Sequence, residues 1–207
     1  SQAAFERARL ERLETLDVLV RTARPAPGSA LARHLDTVIS AHEAAERVLV
    51  SGHGAGDLSA FYPYVADHMR GAYLDVPELL ARRQPMETPA DIEAFLSRAS
   101  QLADAIDDDR RRLDADARAG VLPPAPVLAR MQALAAAGAL ETPETSFMVQ
   151  TFDNLLNGVE GLTPDARAKS AARLRTIFTG DILPAYARLA ADITVLAESA
   201  PSEPGVW

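Results

Sequence analysis

Apolar side chains recur every three or four residues along most of this chain, and charged residues fill the positions between them. This spacing predicts amphipathic helices near residues 2–23, 30–50, 89–119 and 164–199. No segment alternates apolar and polar residues over the length of a strand. The pattern therefore predicts an all-α fold, an irregular multi-helix bundle built from helical hairpins, with residues 1–207 in a single domain.

The helix predicted over residues 89–119 is the longest uninterrupted helical pattern and has clear signals at both ends. Thr88 is expected to be its N-cap, with Asp91 completing a capping box. Gly120 is expected to end it as a left-handed C-cap. The run DDDRRR at residues 107–112 places each Asp three or four residues before an Arg. That spacing predicts a lattice of ion pairs on the solvent-exposed face of the helix.

The last predicted helix contains Pro184, whose ring collides with the backbone carbonyl four residues earlier. We therefore expect a kink at Pro184. Three predicted helices begin with a Thr-Pro pair that has an acidic residue within two positions of the Pro, at Thr88, Thr142 and Thr163. In each, the hydroxyl can cap a free N–H, the Pro fixes φ, and the carboxylate faces the positive end of the helix dipole.

Charge and composition exclude several classes of function. The chain has a net charge of −8 and a pI of about 5.0, which argues against binding to nucleic acid or to anionic membranes. No apolar run approaches the roughly 18 residues that a membrane span needs. The absence of cysteine removes disulfides, thiolate catalysis and cysteine-rich zinc sites. Lys169 is the only lysine among 21 basic residues, a preference typical of a GC-rich bacterial genome. We therefore expect a soluble bacterial protein of the cytoplasm or the periplasm, with the compartment left open.

A segment rich in glycine and tyrosine, residues 51–73, interrupts the helical pattern. It holds three of the four tyrosines of the chain and two of its four histidines. Long loops of this kind often carry function, although packing beneath the helices is the simpler explanation. The candidate residues for lining a substrate cleft are Tyr62, Tyr64, His53, His68 and Tyr73.

Known catalytic motifs are incomplete in this chain. His42 and Glu43 are followed by Glu46 where the zincin motif HExxH requires a second histidine. The glycines of residues 52–56 follow a helix instead of a strand and precede no Lys-Ser/Thr pair, so they do not form a phosphate-binding loop. The residues themselves therefore predict no catalytic residue and no metal site on this chain.

Several short stretches carry a resemblance to a known family. They are Pro63-Tyr64-Val65, Gly71-Ala72-Tyr73 followed by Asp75 and Pro77, the T-x-x-D-x-E-x-F-L-x-R run of residues 88–98, residues 120–124, the last helix with its Pro184, and the terminal residues 204–207. In order and spacing they resemble the bacterial family called domain of unknown function 885, over about residues 50–207. No single stretch is a strong motif.

Members of that family are much longer, mostly helical, and similar to zinc metallopeptidases with an HExxH helix in the C-terminal half. The resemblance implies that this chain is the helical N-terminal lobe of a zinc-dependent hydrolase, which shapes a substrate cleft without carrying the catalytic residues. Zinc would then be bound by the missing C-terminal half, which would also be the main partner, and exposed apolar surface would favour self-association. The alternative is a stand-alone helical interaction or ligand-binding module with no catalytic activity.

Overall fold

The computed structural model describes residues 7, 10–11, 13–18, 25–49, 55–56 and 61–202. The helices are α1 Ala30–Leu49, α2 Ala72–Arg83, α3 Pro89–Ser100, α4 Leu102–Arg118, α5 Ala125–Ala139, α6 Phe147–Leu156, α7 Pro164–Ile177 and α8 Leu183–Ala197, with a π-helical turn at Phe178–Ile182 between the last two. The all-α prediction is confirmed. The described residues before Pro25 are helical as predicted, and the rest of the 2–23 prediction lies outside the described residues.

The chain divides into two compact units, Ser1–Pro63 and Tyr64–Trp207. In the first unit, helix α1 begins where the sequence places it, because the Ser29 hydroxyl accepts a hydrogen bond from the Ala32 N–H at 3.1 Å. Two-residue strands β1, Ala55–Gly56, and β2, Phe61–Tyr62, pair antiparallel. That residues 1–207 form a single domain stays a prediction.

The second unit contains every buried apolar side chain among the described residues. Helices α5 and α8 make its most extensive contact, and α4 packs beside α8. Between α3 and α6, the rings of Phe95 and Phe152 lie 4.6 Å apart at 43°, and both side chains are fully buried. These aromatic residues fix the centre of the core.

The predicted single helix over residues 89–119 is wrong in one respect, because it is interrupted at Gln101. The side chains of Ser100 and Gln101 both donate hydrogen bonds to the backbone carbonyl of Ser97, at 2.9 Å each. A side chain that donates a hydrogen bond to a helical carbonyl competes with the backbone N–H that normally bonds to that carbonyl, and this competition bends the helix. Helix α3 consequently packs against α7, whereas α4 packs against α8.

Where a kink was expected at Pro184, the structure has a π-helical turn directly before this residue. Residues Phe178–Ile182 make a wider turn directly before Pro184, and the N–H of Leu183 bonds to the carbonyl of Phe178 five residues back. Pro184 has no N–H and its ring excludes a close carbonyl four residues earlier, so a regular α-turn is disfavoured here. Phe178 and Ile182 are both buried and anchor the turn in the core.

Two of the three Thr-Pro helix starts are confirmed. Thr88 and Asp91 form the predicted capping box, and the Thr163 hydroxyl accepts from the Ala166 N–H at 3.2 Å. The third prediction is wrong, because Thr142 opens a turn closed by Thr145 and helix α6 begins only at Phe147. At the end of α4, Gly120 has the expected positive φ, 84°.

The charged run of residues 107–112 is only partly the solvated face that its spacing predicted. Asp108 and Arg111 form the expected pair within the helix and are largely exposed. Arg110 instead donates from two nitrogens to Asp192 of helix α8, at 2.6 and 2.9 Å, and from a third to Asp107. The side chains of Arg110 and Asp107 are each only 20% exposed. This part of the run therefore joins α4 to α8.

Asp107 accepts hydrogen bonds from both helices, since Arg188 of α8 also donates to it, at 2.6 and 3.2 Å. Burial raises the pKa of Asp107, but the hydrogen bonds from Arg188 and Arg110 outweigh it, so the pKa lies below its ordinary value. A carboxylate whose pKa is lowered on folding stabilises the fold above its unfolded pKa, and this contribution is lost as the pH falls through the folded pKa. The network is thus strongest at neutral pH.

The interhelical arginine is expected to contribute more to stability than an arginine paired within its own helix. Replacing Arg110 by Ala removes three charge-assisted hydrogen bonds and should lower the free energy of unfolding by about 1–3 kcal/mol at pH 7. Arg118, which pairs with Asp114 on the same helix and is 77% exposed, provides the matched control. Arg118→Ala should cost less than about 0.5 kcal/mol. Urea unfolding of both variants measures the difference, and equal losses would show that the network adds nothing.

Candidate functional site

The turn before helix α2, residues 64–71, holds two of the candidate cleft residues, and we call it the His68 turn. Its backbone is fixed locally, because the Asp67 N–H donates to the Arg70 carbonyl at 3.0 Å and the Met69 N–H donates to the Asp67 carboxylate at 2.6 Å. Ala66 is fully buried and anchors the turn in the core. Side chains on the outer side of this turn are therefore presented on a defined backbone.

The last N–H group of the turn and the first N–H group of helix α2 are satisfied by carboxylates. The Gly71 N–H donates to Asp75 at 2.9 Å, and the Ala72 N–H donates to Asp109 of helix α4 at 2.7 Å. Gly71 has a φ of 126°, and a Cβ there would lie 2.8 Å from the Cβ of Ala66. Only glycine fits this position without strain, which explains why the turn ends there.

After the N–H groups of Gly71 and Ala72, the next backbone group held by a side chain is the carbonyl of Tyr73. Its hydrogen-bond partner belongs to helix α8. A helical carbonyl normally accepts from the N–H four residues later, but that residue is Pro77, which has none. The Tyr186 hydroxyl donates to the Tyr73 carbonyl in its place. The ring of Tyr186 lies against Gly138 of helix α5, where any Cβ would overlap it. The rings of Tyr73 and Tyr186 meet edge to face, with centroids 6.3 Å apart.

Two of the side chains that bond to the start of helix α2, Asp109 and Tyr186, have shifted pKa values. Burial raises the pKa of Asp109 to about 6, against the opposing effects of the Ala72 N–H and Arg112, while the charges of Asp108 and Asp75 add to the rise. Burial also raises the pKa of Tyr186, so its hydroxyl remains a donor at all ordinary pH values.

The five candidate cleft residues have different positions. Tyr64 and His68 lie on the His68 turn and are partly exposed, whereas Tyr73 is only 2% exposed and donates its hydroxyl to the Asp67 carbonyl at 2.7 Å. Tyr62 is half-buried in strand β2 of the first unit, and His53 lies outside the described residues. The structure therefore brings Tyr64, His68 and Tyr73 to one turn, with Tyr73 beneath it.

His68 is the candidate with unused hydrogen-bonding capacity. Its Nδ1 atom is buried and has no hydrogen-bond partner among the residues that the structure describes. Buried polar atoms are nearly always paired, so such an atom indicates a position where a ligand or water can bind. Tyr64 lies nearby in sequence, and burial together with the charge of Asp67 raises its pKa, which keeps its hydroxyl protonated.

Sequence reasoning missed Asp109 and Tyr186. Asp109 lies three residues after Ile106 and four before Leu113, both of which are buried. It therefore belongs to the core-facing stripe of α4, and that periodicity is the signal that could have separated it from its exposed neighbours. No comparable signal marks Tyr186, because its partner is 113 residues away in the chain.

Comparison with known families decides where the chain belongs. A profile described as "Bacterial protein of unknown function (DUF885)" matches residues 1–205. The chain belongs to the DUF885 family. The match includes the first helices, which lie before the region that showed the sequence resemblance. No curated protein matches this DUF885 chain.

One solved structure shares the fold of this DUF885 chain. It is described as "the putative lipoprotein from Colwellia psychrerythraea", and it superposes with a TM-score of 0.78 at 17% sequence identity. The alignment covers 97% of this chain and 34% of that protein. This chain therefore spans about a third of the length of the solved protein, and the likeness extends to the fold alone.

The described residues contain neither a metal-binding cluster nor a membrane-spanning helix. No group of three or more His, Asp or Glu side chains in the described part of this DUF885 chain is arranged to hold a metal ion. None of the described helices has the length and apolar character needed to cross a bilayer.

Removing the Tyr186 hydroxyl is expected to destabilise the fold through the Tyr73 carbonyl. Tyr186→Phe keeps the ring against Gly138 but leaves that carbonyl without a donor, which should cost about 1–3 kcal/mol in urea unfolding. Pro77→Ala restores the helical N–H that normally fills this position. In the double variant the cost of Tyr186→Phe should therefore fall to less than half, and strict additivity of the two changes would contradict this account.

The raised pKa of Asp109 predicts a pH-dependent loss of stability. The folded-state pKa of about 6 lies above the ordinary value of 3.8, so the folded state binds the proton more tightly than the unfolded state. The contribution of this carboxyl is therefore most favourable below about pH 4 and falls as the pH rises through 6. Because other groups titrate as well, the wild type should be compared with Asp109→Asn at each pH.

The stability of Asp109→Asn relative to the wild type should rise between pH 4 and pH 7.5, by at most about 3 kcal/mol for a shift of about two units. Asp108→Asn removes a neighbouring, more exposed carboxylate and should alter stability by less than about 0.5 kcal/mol at either pH. Thermal unfolding across this range provides the measurement. A constant difference between Asp109→Asn and wild type would show that Asp109 does not titrate in this window.

Proposed function

We propose that this chain acts as the helical N-terminal lobe of a longer, zinc-dependent hydrolase of the peptidase type. In this proposal the lobe shapes one wall of a substrate cleft, and the zinc ligands and catalytic residues lie on the remainder of the protein. The class of reaction rests on the family resemblance seen in the sequence. The structure contributes the observations that follow.

The main support for the proposal is that this chain is much shorter than the solved protein that shares its fold. Nearly the whole of this chain superposes on one third of a longer solved chain. A fold that recurs as one part of a larger protein is expected to act together with the remaining parts. Fold alone does not specify chemistry, so the role of the lobe must be argued from its surface.

The surface that best fits a cleft wall is the outer side of the His68 turn. It presents two partly exposed side chains, Tyr64 and His68, and Met69, which is 70% exposed. A phenol, an imidazole and a flexible thioether can contact a peptide through both hydrogen bonds and apolar surface. Tyr73 supports this turn from the core, so we assign it a positioning role.

Large exposed apolar residues of the second unit give further support. Leu140 is 84% exposed, Val195 66% and Phe147 54%. Single exposed apolar residues are common on monomers, but they also mark surfaces that are covered in an assembly. In this proposal some of them contact the remainder of the longer protein, and they favour self-association when it is absent.

Metal analysis tests where the zinc site lies. After dialysis against micromolar zinc, the 207-residue chain should retain far less than one zinc per molecule by mass spectrometry. A longer family member with an HExxH helix should retain about one. Stoichiometric zinc on the 207 residues would overturn the proposed division of roles, and no zinc on the longer protein would overturn the assignment to zinc hydrolases.

Light scattering separates the lobe from a stand-alone interaction module. The lobe should self-associate as its concentration rises, and Leu140→Gln together with Val195→Gln should reduce that association without lowering stability. Arg82, whose guanidinium lies 5.6 Å from the Phe147 ring, should be left unchanged, because it shields that ring. A monodisperse and cooperatively unfolding wild-type chain at all concentrations would favour the stand-alone module.

A further inference from the structure

A groove between helices α6 and α7 combines an apolar lining with an arginine, Arg167, whose Nε atom has no hydrogen-bond partner among the described residues. It has a volume of about 310 Å³, at the small end of the range for ligand sites. The lining residues are Asp153, Leu156, Pro164, Arg167, Ala168, Ala171 and Arg175. Four of the seven are apolar, so the groove suits a ligand with a nonpolar body.

The two arginines of the groove differ in their partners. Arg175 donates from both terminal nitrogens to the carboxylate of Asp153 and from one of them to the Ala171 carbonyl. The hydrogen bond with Asp153 raises the pKa of Arg175. Both carboxylate oxygens of Asp153 therefore already accept hydrogen bonds from Arg175.

Arg167 is bonded differently from Arg175. Its Nε atom is buried, and within the part of the chain that the structure describes it has neither a hydrogen-bond acceptor nor a paired carboxylate. A guanidinium nitrogen removed from water without an acceptor costs free energy unless a ligand supplies one. A carboxylate can accept from Nε and a terminal nitrogen of arginine together, in the paired geometry that arginine favours.

We infer that this groove binds a small monocarboxylate with an apolar tail, through Arg167 and the apolar wall of Leu156, Pro164, Ala168 and Ala171. The carboxylate completes the hydrogen bonding of Arg167. The tail lies along the apolar wall, toward the Asp153–Arg175 pair. This inference is independent of the proposed function, because the groove shares no residue with the His68 turn.

Binding of hexanoate, followed by NMR of the isotope-labelled 207-residue chain, tests the inference. Saturable shifts of amides within residues 153–175 are expected, with a dissociation constant on the order of 1 mM. Hexanamide, which keeps the tail but lacks the charge, should bind at least about tenfold more weakly. Phosphate, which has charge but no tail, should cause no saturable shift beyond that of chloride at equal ionic strength.

Variants assign the binding to the groove. Arg167→Gln should weaken hexanoate binding at least about tenfold, whereas Arg130→Gln, the same change at an exposed position of helix α5, should leave it unchanged. Ala168→Leu fills the groove without altering its charge and should also abolish binding. The amide spectrum of each variant reports whether it is folded.

Three results would overturn the inference. They are equal binding of hexanoate to wild type and Arg167→Gln, equal binding of hexanamide and hexanoate, and tighter binding of phosphate than of hexanoate. Absence of any saturable hexanoate shift in the wild type would overturn it as well.

Discussion

Three consecutive residues at the start of helix α2 are held by side chains from three helices, and much of the second unit depends on this junction. The carboxylate of Asp75, on α2, accepts from the Gly71 N–H just before the helix. The carboxylate of Asp109, on α4, accepts from the Ala72 N–H, and the hydroxyl of Tyr186, on α8, donates to the Tyr73 carbonyl. Backbone groups at a helix start cost free energy when they are buried without partners. Joining three helices at these groups fixes both the entry of α2 and the turn before it.

Helix α4 shows how neighbouring residues of one type acquire different roles because their side chains point in different directions. Asp107, Asp108 and Asp109 are consecutive, so they point about 100° apart around the helix. Asp108 faces water and pairs within the helix, Asp107 joins α8 through two arginines, and Asp109 faces the start of α2. The interhelical contacts desolvate the carboxylates, and their consequences for acidity are opposite: the pKa of Asp107 is lowered, and that of Asp109 is raised.

The two proposed binding surfaces have a common physical origin. At the His68 turn and in the α6–α7 groove, a nitrogen of an ionisable side chain is buried without a partner among the described residues. Membership of the DUF885 family and the likeness to one third of a longer solved chain place these surfaces on a recurring fold. Among the described residues, these two nitrogens are the buried side-chain polar atoms without a hydrogen-bond partner.

The sequence by itself determined the all-α fold and the features whose causes are local. Thr88 with Asp91, Ser29, Thr163 and Gly120 act within one helical turn, so their roles are visible in the order of residues. The family resemblance also depended on such short stretches. Only the tertiary structure decided which of the tyrosines reaches the surface, since Tyr73 is buried beneath the turn that exposes Tyr64. It also decided that Asp109 and Tyr186 complete the backbone of α2, because their partners lie 37 and 113 residues away. Contacts over such separations depend on how helices pack, and helix packing is not encoded in any one segment.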